Sequence, residues 1–401
     1  MRRRHPSSYA AAVTFPAPGA LERLRVANRR AVTGLLAAGP MSRADLARGT
    51  GLSRTTVSSL ITELITTGHV TETADRGRPH KGGSGRPPLL VALSTPHGGV
   101  AGVDIGHHHV RVAVADRAGV ILVEECAAVD VDAHGADTLD HAAAMVREGL
   151  RSAGLSRDDL QGVGMCVPAP LDRRHPRLRS GILSGWRDLF PGEELQRRLG
   201  VPVFVDNDAN LGGLAEVERG AARGVADVVY VKVASGVGAG LVLGGRLHRG
   251  ATGIAGELGH VHVSDDGPVC RCGNRGCLET LVSASRLLSV LQPAYDEPLD
   301  VERVLALDGA GDARVGDVLC DAGRTIGRAL ADLCNSLNPQ VVLLGGSLGT
   351  SPSLALGVRD AIDGYAQPDT AAAVRVGAGS LRDRAEIVGA VSLAIARVAQ
   401  A

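Results

Sequence analysis

The sequence predicts an α/β protein built as a small basic helical module followed by a large two-lobed unit of strands and helices. Three observations carry this reading. At 401 residues the chain is too long for one ordinary core and suits two or three domains. Charge is spread unevenly: residues 1–90 hold 14 Lys and Arg against 5 Asp and Glu, whereas the whole chain holds 43 of each. After residue 98, short β-branched runs recur among helical patterns, as in a layered α/β fold with a cleft between lobes.

Apolar residues make up 44 % of the chain and aromatics only 2 %, so the cores must be built from Leu, Val, Ile and Ala. No apolar run is long enough to cross a bilayer. Basic Met1–Arg4 is not followed by the apolar stretch a secretory signal needs. A cytoplasmic protein with no membrane partner is expected. Pro6 to Gly19 is rich in Ala, Pro and Ser, so residues 1–19 read as a disordered tail.

Residues 20–95 form the first module. Leu21, Leu24, Ala27, Ala31, Leu35 and Ala38 share one face at helical spacing, and Gly39-Pro40 ends that helix. Ser42-Arg43-Ala44-Asp45 resembles a capping box and starts a short second helix. Thr50-Gly51-Leu52 makes a tight turn, and Ser53 caps a third helix over residues 54–67, with Val57, Leu60, Ile61 and Leu64 facing inward. Helix, short helix, glycine turn and helix is the helix-turn-helix order. Arg54, Thr55, Thr56, Ser58 and Ser59 on the third helix are small or basic groups able to reach phosphates and base edges in a major groove. A plain three-helix bundle is the alternative, and the basic excess argues against it. Strands over 69–73 and 89–93 would flank a wing with two Gly-Arg-Pro triplets, which place Arg78 and Arg86 on a thin arm. Such an arm suits a narrow minor groove, or serves as a basic linker that touches only phosphate.

The second module begins with a buried strand over residues 100–106 running into a turn, then strands over 110–116 and 119–125. A meander that opens on an Asp at a strand end, here Asp104, is how an actin-like ATPase (ribonuclease-H-like) lobe starts. A strand over 201–206 ends in Asp206-Asn207-Asp208-Ala209-Asn210. Strands over 228–233 and 240–243 flank the glycine-rich stretch 235–240, and a strand over 341–344 ends in Gly345-Gly346-Ser347. Helices are expected over 321–335 and 385–398. The first lobe is assigned to 98–205 plus 385–401 and the second to 206–384.

Three of the seven cysteines crowd into Cys270, Cys272 and Cys277, which in a chain without an export signal favours metal over disulfides. With His260 they offer one imidazole and three thiolates, a set that suits one closed, structural Zn²⁺. The alternative is buried free thiols.

Residues 256–260 (Gly-Glu-Leu-Gly-His), residues 270–279 (Cys-Arg-Cys-Gly-Asn-Arg-Gly-Cys-Leu-Glu) and residues 206–210 together resemble the ROK family, which groups repressors, open reading frames and sugar kinases. The resemblance covers nearly the whole chain after residue 20, and an attached winged helix marks the regulator branch. It implies the same four zinc ligands. It also implies that Asp208 matches the general base of the kinases, here vestigial, and that Asn207, Asp208, Glu257, His260 and Glu279 bind sugar hydroxyls. The chemistry is sensible without the family, because each buried hydroxyl of a polyol needs a polar partner.

The match to a kinase fails at the first phosphate loop. Family kinases carry a stretch resembling Asp-Ile-Gly-Gly-Thr-Lys; here Asp104-Ile105-Gly106 is followed by His107-His108-His109. Imidazole rings stand where bare backbone and a hydroxyl would meet ATP phosphate. Three adjacent histidines cannot readily chelate one ion, because alternate strand residues face opposite ways. The second loop reads Ala234-Ser235-Gly236, and Ile182 stands where family kinases place an Asn. The expected protein is therefore a transcriptional regulator of carbohydrate-related genes and not an enzyme. Repression is the expected sense, double-stranded operator DNA and a sugar or sugar derivative are the partners, and a homodimer or homotetramer is the assembly. The alternatives are an ATP-dependent sugar kinase with a fused DNA-binding domain and a regulator whose cleft reads a partner protein.

Overall fold

A computed structural model describes residues 28, 31–36, 39–66, 70–76, 89–93, 98–172, 178 and 183–400. The tail 1–19, the start of the first helix, the wing residues Arg78 and Arg86, and Ile182 lie outside them. The chain divides into two compact units, with the main boundary at Gly98–Gly99.

In the N-terminal unit residues 31–36 are helical, and helices Arg43–Thr50 and Arg54–Thr66 follow. The Ser42 hydroxyl accepts from the Asp45 backbone N–H at 3.2 Å and donates to its carboxylate at 2.6 Å, so the start of the short helix is satisfied from both sides. Gly51, at φ 72°, takes the left-handed turn that ends this helix. The Ser53 hydroxyl accepts from the Thr56 N–H and so caps the third helix. Leu46, Val57, Leu60, Ile61 and Leu64 meet Val32, Leu36 and Val91 in one core. Strand Leu89–Leu93 lies between Met41–Ser42 and Val70–Arg76 in a three-stranded sheet. This is a winged helix-turn-helix arrangement. The core consumes the apolar stripe of the third helix and leaves Arg54, Thr55 and Ser59 exposed, with Thr56 and Ser58 half-buried.

The large unit holds two five-stranded sheets with the same internal order. In the first, Ile121–Ala128, His109–Asp116 and Gly99–Ile105 form a meander, and Leu160–Val167 and Val203–Asn207 add on as parallel strands. In the second, Arg246–His248, Val237–Leu243 and Val228–Val233 repeat the meander, and Val341–Gly345 and Arg375–Ala378 add on in parallel. This repeated pattern is the two-lobed actin-like fold expected from the sequence. Helices Asp208–Glu218 and Ala385–Val398 pack on each other, and the latter also covers strands Gly99–Ile105 and Leu160–Val167.

Two elements differ from their expected extents for a visible reason. The helix expected from residue 321 spans Ala313–Leu337, because its apolar stripe already begins at Val315 and Leu319 and Asp312 caps it. The strand expected from residue 240 starts at Val237, so four of the six residues of the glycine-rich stretch are strand, not loop. Those glycines are there for close approach. A Cβ on Gly240 would lie 2.3 Å from the carbonyl oxygen of Ala209, so a bare strand lets the start of helix Asp208–Glu218 rest against it.

Candidate ligand and metal site

Strand Val203–Asn207 runs straight into helix Asp208–Glu218, so the polar run 206–210 is a strand end and a helix start, with no intervening loop. The Asn207 side chain caps the helix by accepting from the Asn210 N–H at 3.2 Å. Asp206 is consumed structurally: Arg249 Nε donates to it at 2.7 Å and Asn210 Nδ2 at 3.0 Å. Its neighbours Asn207 and Asp208 instead line a cavity of about 310 Å³, together with Glu257, His260 and Glu279. The five residues named from the sequence are thus brought to one cavity by three different stretches of chain.

The floor of this cavity holds a residue the sequence reading missed. Lys232 Nζ lies 2.8 Å from Asp208 Oδ2 and 3.4 Å from Glu386 Oε1, and its side chain is only 15 % exposed. Burial works against its charge. Asp208, then Glu386 and Asp104, nevertheless hold the ammonium well above the ordinary lysine range. Burial pushes the Glu386 carboxyl up, with Lys232 opposing. Glu257 is pushed up to about 7 by burial, and then by the carboxylates of Asp208 and Glu279. Near neutral pH it can therefore donate a hydrogen bond as well as accept one. A signal for Lys232 existed: it is a lone charge in the apolar strand Val228–Val233, and Glu386 is its counterpart at the start of an apolar helix.

Beside the cavity, one ligand atom each from His260, Cys270, Cys272 and Cys277 lies within 4.8 Å of the others. This donor set fits a metal ion. His260 can serve both neighbours, because its two ring nitrogens face different ways: Nδ1 is 3.5 Å from Cys270 Sγ, whereas Nε2 is 3.6 Å from Glu257. The loop is tied across the cleft as well. Arg271 Nη1 donates to Asp132 Oδ2 at 3.1 Å, and the other oxygen of Asp132 lies 2.6 Å from His107 Nδ1.

The histidine run parts to separate partners. His107 goes to Asp132, His109 Nε2 sits 3.0 Å from Asp104 Oδ2, and His108 is exposed. The His109 ring lies over Gly106, and that same carboxyl of Asp104 also accepts from Cys166. Burial pulls the Asp104 carboxyl upward, but His109 and then Lys232 outweigh it and hold it below the usual range. Gly345 is needed for packing: a Cβ there would lie 2.1 Å from the Tyr230 hydroxyl. Among the described residues no helix is long and apolar enough to cross a membrane.

The ROK family model matches residues 100–397. The xylose repressor of Bacillus subtilis (strain 168) is 31 % identical over 317 residues, covering 79 % of this chain and 81 % of the repressor. Among solved structures, a ROK family transcriptional regulator homologous to the E. coli Mlc protein shares the fold over 93 % of this chain and 96 % of its own, with TM-score 0.67 and 24 % identity. A ROK hexokinase from Thermus thermophilus is 31 % identical, with TM-score 0.60, and covers 76 % of this chain and all of its own. Repressors and kinases thus both stand among the relatives of this chain, which belongs to the ROK family.

Proposed function

We propose that the chain is a cytoplasmic, DNA-binding transcriptional repressor of sugar genes that releases its operator when a sugar occupies the cleft. The observation that carries this reading is the convergence of Asn207, Asp208, Glu257, His260 and Glu279 on one cavity in a chain that also has a winged helix-turn-helix unit. The relatives named xylose repressor support it. The exposed groups of helix Arg54–Thr66 supply the major-groove contacts. Arg54 stands at the helix start, Thr55 and Ser59 face solvent, and Thr56 and Ser58 flank them. Arg78 and Arg86, outside the described residues, are further candidates for DNA contact. Symmetric half-sites call for a homodimer or homotetramer.

Zn²⁺ is the ion for the cluster: three cysteines and one histidine make a closed structural site, and His260, Cys270, Cys272 and Cys277 would hold it. The ion would fix the loop that carries Arg271 and, through His260 Nε2, the wall of the sugar cavity. Coupling to DNA requires that the sugar bind one arrangement of the lobes more tightly than another.

The decisive experiment titrates operator DNA with the full chain at fixed salt, with and without sugar. Arg54→Ala is expected to weaken specific DNA binding by about 1–3 kcal/mol. Asp208→Ala is expected to leave DNA binding intact and abolish release by sugar. Normal release by this variant would place the effector elsewhere.

Phosphoryl transfer depends on positioning the nucleotide phosphates. The first loop carries His107 and His108 in place of a glycine and a hydroxyl, the His109 ring lies over Gly106, and Lys232 pairs with the residue that would act as base. The protein is therefore expected to show no sugar-dependent ADP release. A coupled assay of the wild type beside a His107→Gly, His108→Thr double variant checks this. Robust turnover by the wild type would promote the kinase reading.

A further inference from the structure

Resting on the sugar-effector reading, we infer that the effector is not an anion: the cleft takes an uncharged or amino sugar and rejects sugar phosphates and sugar acids. The charges that line the cavity carry this. Asp104, Asp208, Glu257, Glu279, Asp383 and Glu386 contribute carboxyl groups, against the permanent cations Lys232 and Arg111. Both cations already face carboxylates, although Arg111 Nε is buried without a hydrogen-bond partner. Lys232 is held by Asp208 and Glu386 at 2.8 and 3.4 Å. Arg111 donates to Asp383 at 2.8 Å and to Glu124 at 3.1 Å.

The histidines of the first loop are engaged or exposed. His107 is taken by Asp132 and His109 by Asp104, which leaves exposed His108 at the rim. The neighbouring Cys/His cluster would not help either, since three thiolates around a divalent ion would leave a net negative set. Apart from the buried Arg111 Nε, an incoming phosphate or carboxylate has to break the Lys232 cluster and strand a buried carboxylate, or settle against like charge. A neutral polyol meets none of this. Its hydroxyls donate to Asp208 and Glu279, and the ammonium of an amino sugar gains directly from the same carboxylates.

The experiment is calorimetric titration of the full chain with a broad panel of pentoses, hexoses and amino sugars, each beside its phosphorylated or uronic-acid counterpart. The expected result is binding by an unphosphorylated member, with its anionic counterpart weaker by about 100-fold or more. Glu386→Gln removes one partner of Lys232 and is expected to narrow that gap by about tenfold. If the anionic form binds as tightly as the neutral one or more tightly, the charge inference falls while the sugar reading stands. If no sugar of either class binds, the sugar reading itself fails.

Discussion

Cys272→Ser is expected to strip the protein of its metal ion: about one equivalent of zinc per chain in the wild type should fall to near zero. The thiolate set is coupled to local folding, and binding free energies of structural zinc sites run to about 10–16 kcal/mol. Much of that is lost when one of four ligands is replaced. Cys272 is the exposed member of the set, so the substitution disturbs little packing, whereas Cys270 and Cys277 are buried. The effect should stay local. Sugar response should vanish, because His260 and the 270–279 loop line or support the cavity, while operator binding by the separate N-terminal unit should persist. Elemental analysis of chelator-washed protein together with DNA titration checks both halves. A metal-free wild type that still responds to sugar would remove the ion from the account.

Lys232→Met is expected to destabilise the large unit by about 3–5 kcal/mol, the usual penalty for leaving buried charge unpaired. The side chains left behind are only 11 % (Asp208) and 4 % (Glu386) exposed, so solvent cannot replace the ammonium. The penalty should depend on pH in one direction. Burial raises the Glu386 carboxyl above its unfolded value. Such a group contributes stability that is full below the unfolded pKa and is lost as pH rises through the folded one. Removing the cation pushes the folded value higher still. The deficit of the variant should therefore be smaller at about pH 5 than at about pH 8. Urea denaturation at the two pH values reads this out. A pH-independent deficit would mean that lost packing, not stranded charge, is the cause. Glu386→Gln in the Lys232→Met background should recover part of the loss.

The sequence by itself determined what depends on local chemistry. The capping serines Ser42 and Ser53, the turn at Gly51 and the stripe Val57, Leu60, Ile61 and Leu64 are short-range features, and the N-terminal helices follow from them. The spacing of Cys270, Cys272 and Cys277 likewise pointed to one cluster, because a short loop can hardly keep three thiols apart. The five polar residues of the cavity were also legible, from the motifs that carry the family resemblance.

Only the tertiary structure decided the electrostatics of the cleft. Lys232, Asp208, Glu386 and Asp104 come from four separate elements, and nothing in their spacing says that they meet. Ion pairing acts through space at a few ångströms, whereas sequence patterns report only neighbours along a strand or helix. The same reason hid the fate of the histidine run. Three like side chains in a row take different partners, Asp132 for His107 and Asp104 for His109, because His107 lies in the turn after strand Gly99–Ile105 whereas His109 begins strand His109–Asp116, and each meets whatever the fold has placed there.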